Sequence, residues 1–275
     1  MKKHALPAVW PVILVGLFFI FSCNKSGRLP FQPDAAEICP IERFSSFATF
    51  ETRDTITFSY DWLGRPVSST RTLVGTGSPK YLFRYDGQGR LQDFIGAYEN
   101  FGAEFWTRYT YSEDNRTIWD TTYTLVVDIT SWPPSPPYAD LITQVKKYDR
   151  EGRVIQIITS VPPFYIGDTL IREVIRNIAY DARGDAQNPP VPLQSGQAYD
   201  DKINYHQTNK IWMQVDDQYS VHNPLTPGGY AYNRYGLPVQ FGFNGNPGLM
   251  LFGIVGPDVE IDYECELPKG LTPGE

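Results

Sequence analysis

This sequence predicts an all-β domain, an antiparallel meander of tandem hairpins in a twisted or curled sheet. Three observations carry the prediction. A short tyrosine-led turn motif recurs along the chain, the segments beside it alternate apolar and polar residues, and no stretch after residue 22 sustains a helical period.

The clearest copies of the motif are Tyr60-Asp61-Trp62-Leu63-Gly64-Arg65, Tyr85-Asp86-Gly87-Gln88-Gly89-Arg90 and Tyr148-Asp149-Arg150-Glu151-Gly152-Arg153. Looser copies start at Tyr180, with Asp181 and Gly184, and at Tyr232, with Asn233 and Gly236. Two decayed copies start at Tyr111 and Tyr205. Asp, Asn or Ser at the first turn position accepts backbone N–H bonds and initiates a type I turn. Gly or Asn three residues later takes positive φ and closes a bulged hairpin loop.

The flanks read as half-buried strands. Ile56, Phe58 and Tyr60 alternate with Thr55, Thr57 and Ser59; Tyr81, Phe83 and Tyr85 repeat the scheme. Ile211, Met213 and Val215 show the same alternation after the last decayed turn and are expected to form another strand. Residues 115–129 and 170–180, rich in Thr, Val and Ile, read as long strands. The expectation is about 14 strands, with one apolar face that must be covered or curled in on itself. The tight turns fall on one edge of the sheet and longer, proline-rich connections on the other.

The Tyr-Asp-x-x-Gly-Arg copies resemble the YD repeats of RHS-type proteins, and more closely the YD-repeat-like lipoproteins of gram-negative envelopes, over about Thr55 to Phe243. In the large members of that family such repeats stack into a shell around a toxin. Seven units are too few for a closed shell, so the resemblance implies the hairpin architecture and not encapsulation.

The chain's start places it in the envelope. Met1-Lys2-Lys3 precedes an apolar run from Ala8 to Phe21, too short to span a bilayer but suited to a signal peptide. Ile20-Phe21-Ser22-Cys23 resembles the lipobox of bacterial lipoproteins, with Phe where a small residue is usual. We therefore expect a signal peptide over 1–22, a lipidated Cys23 with a tether over 23–38, a single all-β domain over 39–267 and a tail over 268–275. An outer-membrane location follows, with its side open. Cys39 and Cys265 are then the only other cysteines. In an oxidising compartment they are expected to pair and tie the ends of the sheet together.

Little in the sequence points to chemistry. Nucleophile-elbow, P-loop and paired-histidine motifs are absent. His206 and His222 lack partners at metal-ligand spacing, and the acidic pairs Asp200-Asp201 and Asp216-Asp217 lack the ligand spacing of calcium loops. No cofactor and no metal are expected. A net charge of −7 without a basic stripe disfavours nucleic acid as a partner. Aromatic residues in the irregular loops, namely Phe101, Trp132, Tyr138, Phe164 and Tyr165, suit stacking on a glycan or docking an envelope protein. The leading expectation is a lipid-anchored binding or interaction module; a purely structural envelope protein and a glycoside-type hydrolase are the alternatives.

Overall fold

Asp61 shows how each motif folds. Its N–H donates to the Arg65 carbonyl and its own carbonyl accepts from the Gly64 N–H, both at 2.9 Å. Its Oδ1 accepts from the N–H groups of Leu63 and Arg65, and its Oδ2 from Arg65 Nε at 2.8 Å. Asp86 with Arg90 and Asp149 with Arg153 repeat the arrangement. Gly64, Gly89 and Gly152 sit at φ of 73°, 76° and 78°, where a Cβ is strained. Asp181 and Asn233 serve the turns that close on Gly184 and Gly236.

Successive turns are coupled. The Tyr85 hydroxyl donates to the Pro66 carbonyl, just past the preceding turn, at 2.6 Å, while Arg65 stacks 4.4 Å over the Tyr85 ring. Tyr111 on Leu91 beneath Arg90, and Tyr180 on Val154 beneath Arg153, are the same unit. Tyr60 on Ile41 and Tyr263 on Pro238 keep the hydroxyl bond alone. Each complete rung joins a hydrogen bond of about 1 kcal/mol to a cation–π contact of about 0.5–1 kcal/mol.

These hairpins assemble into one antiparallel sheet, seen in a computed structural model that describes residues 39–47, 53–99, 102–161, 172–188, 198–226, 228–242 and 258–265. Its strands are β1 (Ile41–Phe47), β2 (Arg53–Tyr60), β3 (Pro66–Arg71), β4 (Lys80–Tyr85), β5 (Leu91–Ala97), β6 (Ala103–Tyr111), β7 (Thr117–Val126), β8 (Leu141–Tyr148), β9 (Val154–Val161) and β10 (Arg172–Asn177). A two-stranded ribbon follows, β11 (Tyr199–Ile203) with β12 (His222–Pro224), and then β13 (Tyr230–Tyr232), β14 (Pro238–Gly242) and β15 (Asp258–Tyr263). The meander runs from β1 to β10. The last three strands of the 13-stranded sheet join on the far side of β1, in the order β1-β15-β14-β13.

Cys39 and Cys265 are joined, with Cα atoms 4.1 Å apart. Because β1 pairs with β15, the bridge ties the residues just before β1 to those just after β15 and not the ends of the sheet, which are β10 and β13. The expected position of the bridge is corrected by this pairing.

The apolar face is covered by the chain itself. Residues 205–215 read in sequence as a decayed repeat with its strand; they instead lie in a 3-10 turn (Tyr205–Thr208) and α1 (Lys210–Asp216). Asn209 Oδ1 accepts from the Ile211 N–H to start the helix, and Asp217 at φ 53° ends it. Ile211, Met213 and Val215 alternate as a strand would, but Ile211, Trp212 and Val215 make an apolar helical face over the same five residues, and the caps decide between the two. Trp212 packs at 4.9 Å from Phe58 and 5.8 Å from Phe83; Tyr205 lies 5.9 Å from both Phe44 and Phe241. The sheet thus curls around a plug whose Tyr205, Ile211 and Trp212 are almost wholly buried.

The ribbon β11–β12 fills the space between turn 181–185 and β13. The Tyr199 hydroxyl donates to the Ala186 carbonyl at 2.7 Å, and the buried Asp185 carboxylate accepts the His222 N–H at 2.9 Å. On the other flank the Tyr232 hydroxyl donates to Asp200, and that of Tyr230 to the Pro224 carbonyl at 2.8 Å.

Two stability predictions follow from the turn and the rung. At Gly152 no atom stands within 4 Å of an added Cβ, so Gly152→Ala tests φ alone and should cost about 1 kcal/mol. Gly152→Asn should cost less, because Asn115 already holds the equivalent position at φ 56°. Gln88→Ala, at a variable turn position, should be neutral in the same urea titrations. Equal melts for all three variants would overturn the assignment. Tyr85→Phe should cost about 1–2 kcal/mol by stranding the Pro66 carbonyl, and an unchanged midpoint would remove the rung from the account.

Candidate functional site

Between the complete rungs at Tyr111 and Tyr180 the pattern fails at one step, and a cleft lies there. Turn 112–116 begins with Ser112, whose single oxygen accepts from the Thr117 N–H and donates to Asp114. No carboxylate stands at the first turn position to hold Arg116, whose side chain is exposed to solvent. The next tyrosine, Tyr148, therefore receives no guanidinium from the turn before it. Its hydroxyl instead meets that of Tyr219 at 3.1 Å, with the rings edge to face at 5.8 Å.

The space so left is a cleft of about 370 Å³ between turns 86–90, 112–116 and 149–153 and the first turn of α1. Its walls are Leu91, Ile118, Tyr148, Ile211, Met213 and Tyr219. Polar groups line the mouth: Arg90, Asn115, Glu151, Lys210 and Gln214. Gln214 Nε2 donates to the Tyr111 hydroxyl at 2.9 Å, which fixes the side chain that bridges α1 to the sheet. Burial pushes the Tyr111 phenol up to about 12 and raises that of Tyr148 further, so both are neutral hydroxyls at physiological pH. Arg90 is committed to Asp86 and Asn115, whereas exposed Lys210 makes no ion pair among the described residues. The cleft can hold an apolar body and offer a positive charge and amide groups to its polar end.

A second polar group lies behind the plug. Lys146 is buried and pairs with Asp217 at 2.8 Å and Asp120 at 3.2 Å. Burial alone would lower the Lys146 pKa, but Asp217 and Asp120 outweigh it and hold the ammonium well above its usual range. Next to them His206 Nε2 lies 2.9 Å from Asp216, whose pKa burial raises. None of these five side chains lines the cleft. They fasten the C-terminal end of α1 to β7 and β8, where a cation also suits the helix dipole. Among the described residues no group of three or more His, Cys, Asp or Glu side chains is placed to hold a metal ion.

The residues expected from sequence separate into three places. Asp61, Asp86, Asp149 and Asp181, with Gly64, Gly89, Gly152 and Gly184, form the regular turn edge, and two of those turns frame the cleft. Trp132 and Tyr138 lie on the opposite face of the sheet. Trp132 is half-buried, 5.1 Å from both Trp106 and Tyr123, with Arg108 4.5 Å over its ring; Tyr138 meets Tyr123 at 4.7 Å. Trp132 is thus engaged in a second apolar cluster with Ile95, Trp106 and Val126. Cys23, Phe101, Phe164 and Tyr165 lie outside the described residues. Sequence reasoning missed Lys210, Met213, Gln214 and Tyr219, all in the plug. The Asn209 cap and the loss of the aspartate at Ser112 were the signals available.

No family model matches the chain, and no curated protein matches it. Among solved structures it is similar to part of a crystal structure of TcdB2-TccC3-Cdc42, at 17% identity over 71% of this chain, with a TM-score of 0.30. It is also similar to part of a mutant Tc holotoxin pore of Photorhabdus luminescens, at 16% identity over 72% of this chain, with a TM-score of 0.22. The chain spans 10% and 12% of those solved chains, and at such TM-scores neither likeness bears on what it does.

Proposed function

We propose that this protein is a lipid-anchored binding module of a bacterial envelope, and that its ligand site is the cleft at the broken rung. The observation that supports the site is the cleft itself, an apolar pocket where the repeat departs from its pattern, whose mouth offers Lys210 and amide groups and whose carboxylate, Glu151, lies 3.6 Å from Arg153. Such a lining fits a small amphiphile with an apolar body and an anionic end. The irregular loop edge becomes the lesser site, because Trp132 already spends much of its surface on Trp106 and Tyr123. A hydrolase gains no support: Asp120 and Asp217 share one buried ammonium and do not face each other across open space.

The probe is 1-anilinonaphthalene-8-sulfonate, an apolar bicycle with one anion. It should bind once per chain, and Met213→Trp, which narrows the cleft, should weaken it at least tenfold. Lys210→Glu should weaken it several-fold with an unchanged melting curve. Parent-like binding by both variants would remove the cleft from the proposal and leave the structural reading. The anchor has its own test. Cys23→Ser should shift the protein from the membrane to the soluble fraction or leave it as precursor, and undiminished lipid labelling would refute it.

A further inference from the structure

The regular turn edge carries two residues that its own pattern does not ask for. The middle positions of the other turns are Gly87-Gln88, Glu113-Asp114, Arg150-Glu151, Ala182-Arg183 and Arg234-Tyr235, nearly all polar or small. The first turn has Trp62-Leu63 instead. Trp62 is 89% exposed and Leu63 53% exposed, the former more than any other large apolar side chain among the described residues. The turn's hydrogen bonds use the backbone of residue 63 and the Asp61 carboxylate, so neither apolar side chain is needed to form it.

The position of this turn gives the exposure a direction. Strand β1 enters the sheet at the same edge, and the Tyr60 hydroxyl bonds the Ile41 carbonyl at 2.6 Å. Cys39, the first described residue, therefore stands beside turn 61–65, and Cys265 is bridged to it. Fifteen residues separate Cys39 from Cys23. Fifteen residues reach at most about 50 Å, so they limit the distance between anchor and domain without setting orientation. Lys25 and Arg28 within it add attraction to anionic headgroups.

We infer that Trp62 and Leu63 seat the regular turn edge on the lipid surface that holds the anchor. Tryptophan, with an apolar body and one N–H, belongs at the headgroup boundary, and a second contact makes a single-point attachment stable and oriented. This inference rests on the lipid-anchor reading. It places the mouth of the cleft, which begins at the neighbouring turn 86–90, against the membrane, the phase in which an amphiphile is found.

The test uses the full processed lipoprotein in vesicles of phosphatidylethanolamine and phosphatidylglycerol, with and without brominated acyl chains. Brominated lipid should quench part of the tryptophan emission of the parent and less of that of Trp62→Phe, while melting curves coincide. Trp62→Ala should also become accessible at turn 61–65 to added protease that spares the parent on vesicles. Flotation with the vesicles but identical quenching in parent and Trp62→Phe overturns this inference alone, as does Trp62-dependent crosslinking between copies without quenching. Failure to float overturns the anchor and this inference together.

Discussion

Three tight turns of this protein, 61–65, 86–90 and 149–153, are each fastened to the next strand pair by a tyrosine hydroxyl under a guanidinium. The aspartate comes first in the causal order. By accepting two backbone N–H groups and the arginine Nε, Asp86 fixes both the turn and the direction of Arg90, and only then can Arg90 lie over Tyr111. The tyrosine in turn satisfies the Leu91 carbonyl just beyond the turn, at a place where the bulge disturbs the ladder. No single contact is large. Their effect lies in repetition, since each rung sets the lateral position of the next hairpin and so the curl of the sheet.

Curl creates the second constraint. A sheet whose inner face carries Phe44, Phe58, Tyr81, Phe83 and Phe94 in adjacent strands cannot leave that face in water. It does not close into a barrel, so the interior is filled by an internal segment, and one repeat position is given up to do it. Tyr205 still occupies the place in sequence where a repeat tyrosine is due, but it points into the core beside Phe44 and Phe241. The Lys146 group then fixes the depth of the plug. Two carboxylates around one buried ammonium are costly unless each finds that partner, so the arrangement tolerates little displacement.

The sequence made the turns, their shared edge and the strand alternation legible, because those features are local. Gly64, Gly89 and Gly152 declare positive φ without reference to anything distant. The plug was illegible for the opposite reason: Ile211, Met213 and Val215 read as a strand, Ile211, Trp212 and Val215 as a helical face, and what decides is the aromatic cavity they enter. The insertion of β15 beside β1 was likewise hidden, since pairing across more than two hundred residues leaves no local mark. Proline-rich loops drew attention as binding elements, yet one of their rings, Trp132, is held by Trp106 and Arg108 from strand β6.

Repetition also bears on where recognition can arise. A rung that satisfies its own tyrosine, arginine and carbonyl presents a filled surface, and repeating it extends that surface without making a concavity. A site on the regular edge needs a departure from the pattern, and a single substitution at the first turn position is enough. With serine at residue 112, Arg116 has no carboxylate to fold against and leaves for solvent, while Tyr148 turns inward to Tyr219. The two neighbouring rungs, Arg90 over Tyr111 and Arg153 over Tyr180, remain intact and brace the opening from both sides. The cleft thus inherits rigid walls from the two repeats beside it that obey the pattern and its volume from the one between them that does not. A pre-formed pocket of this kind asks little reorganisation of a ligand's host, and its specificity falls to the few polar groups at the mouth.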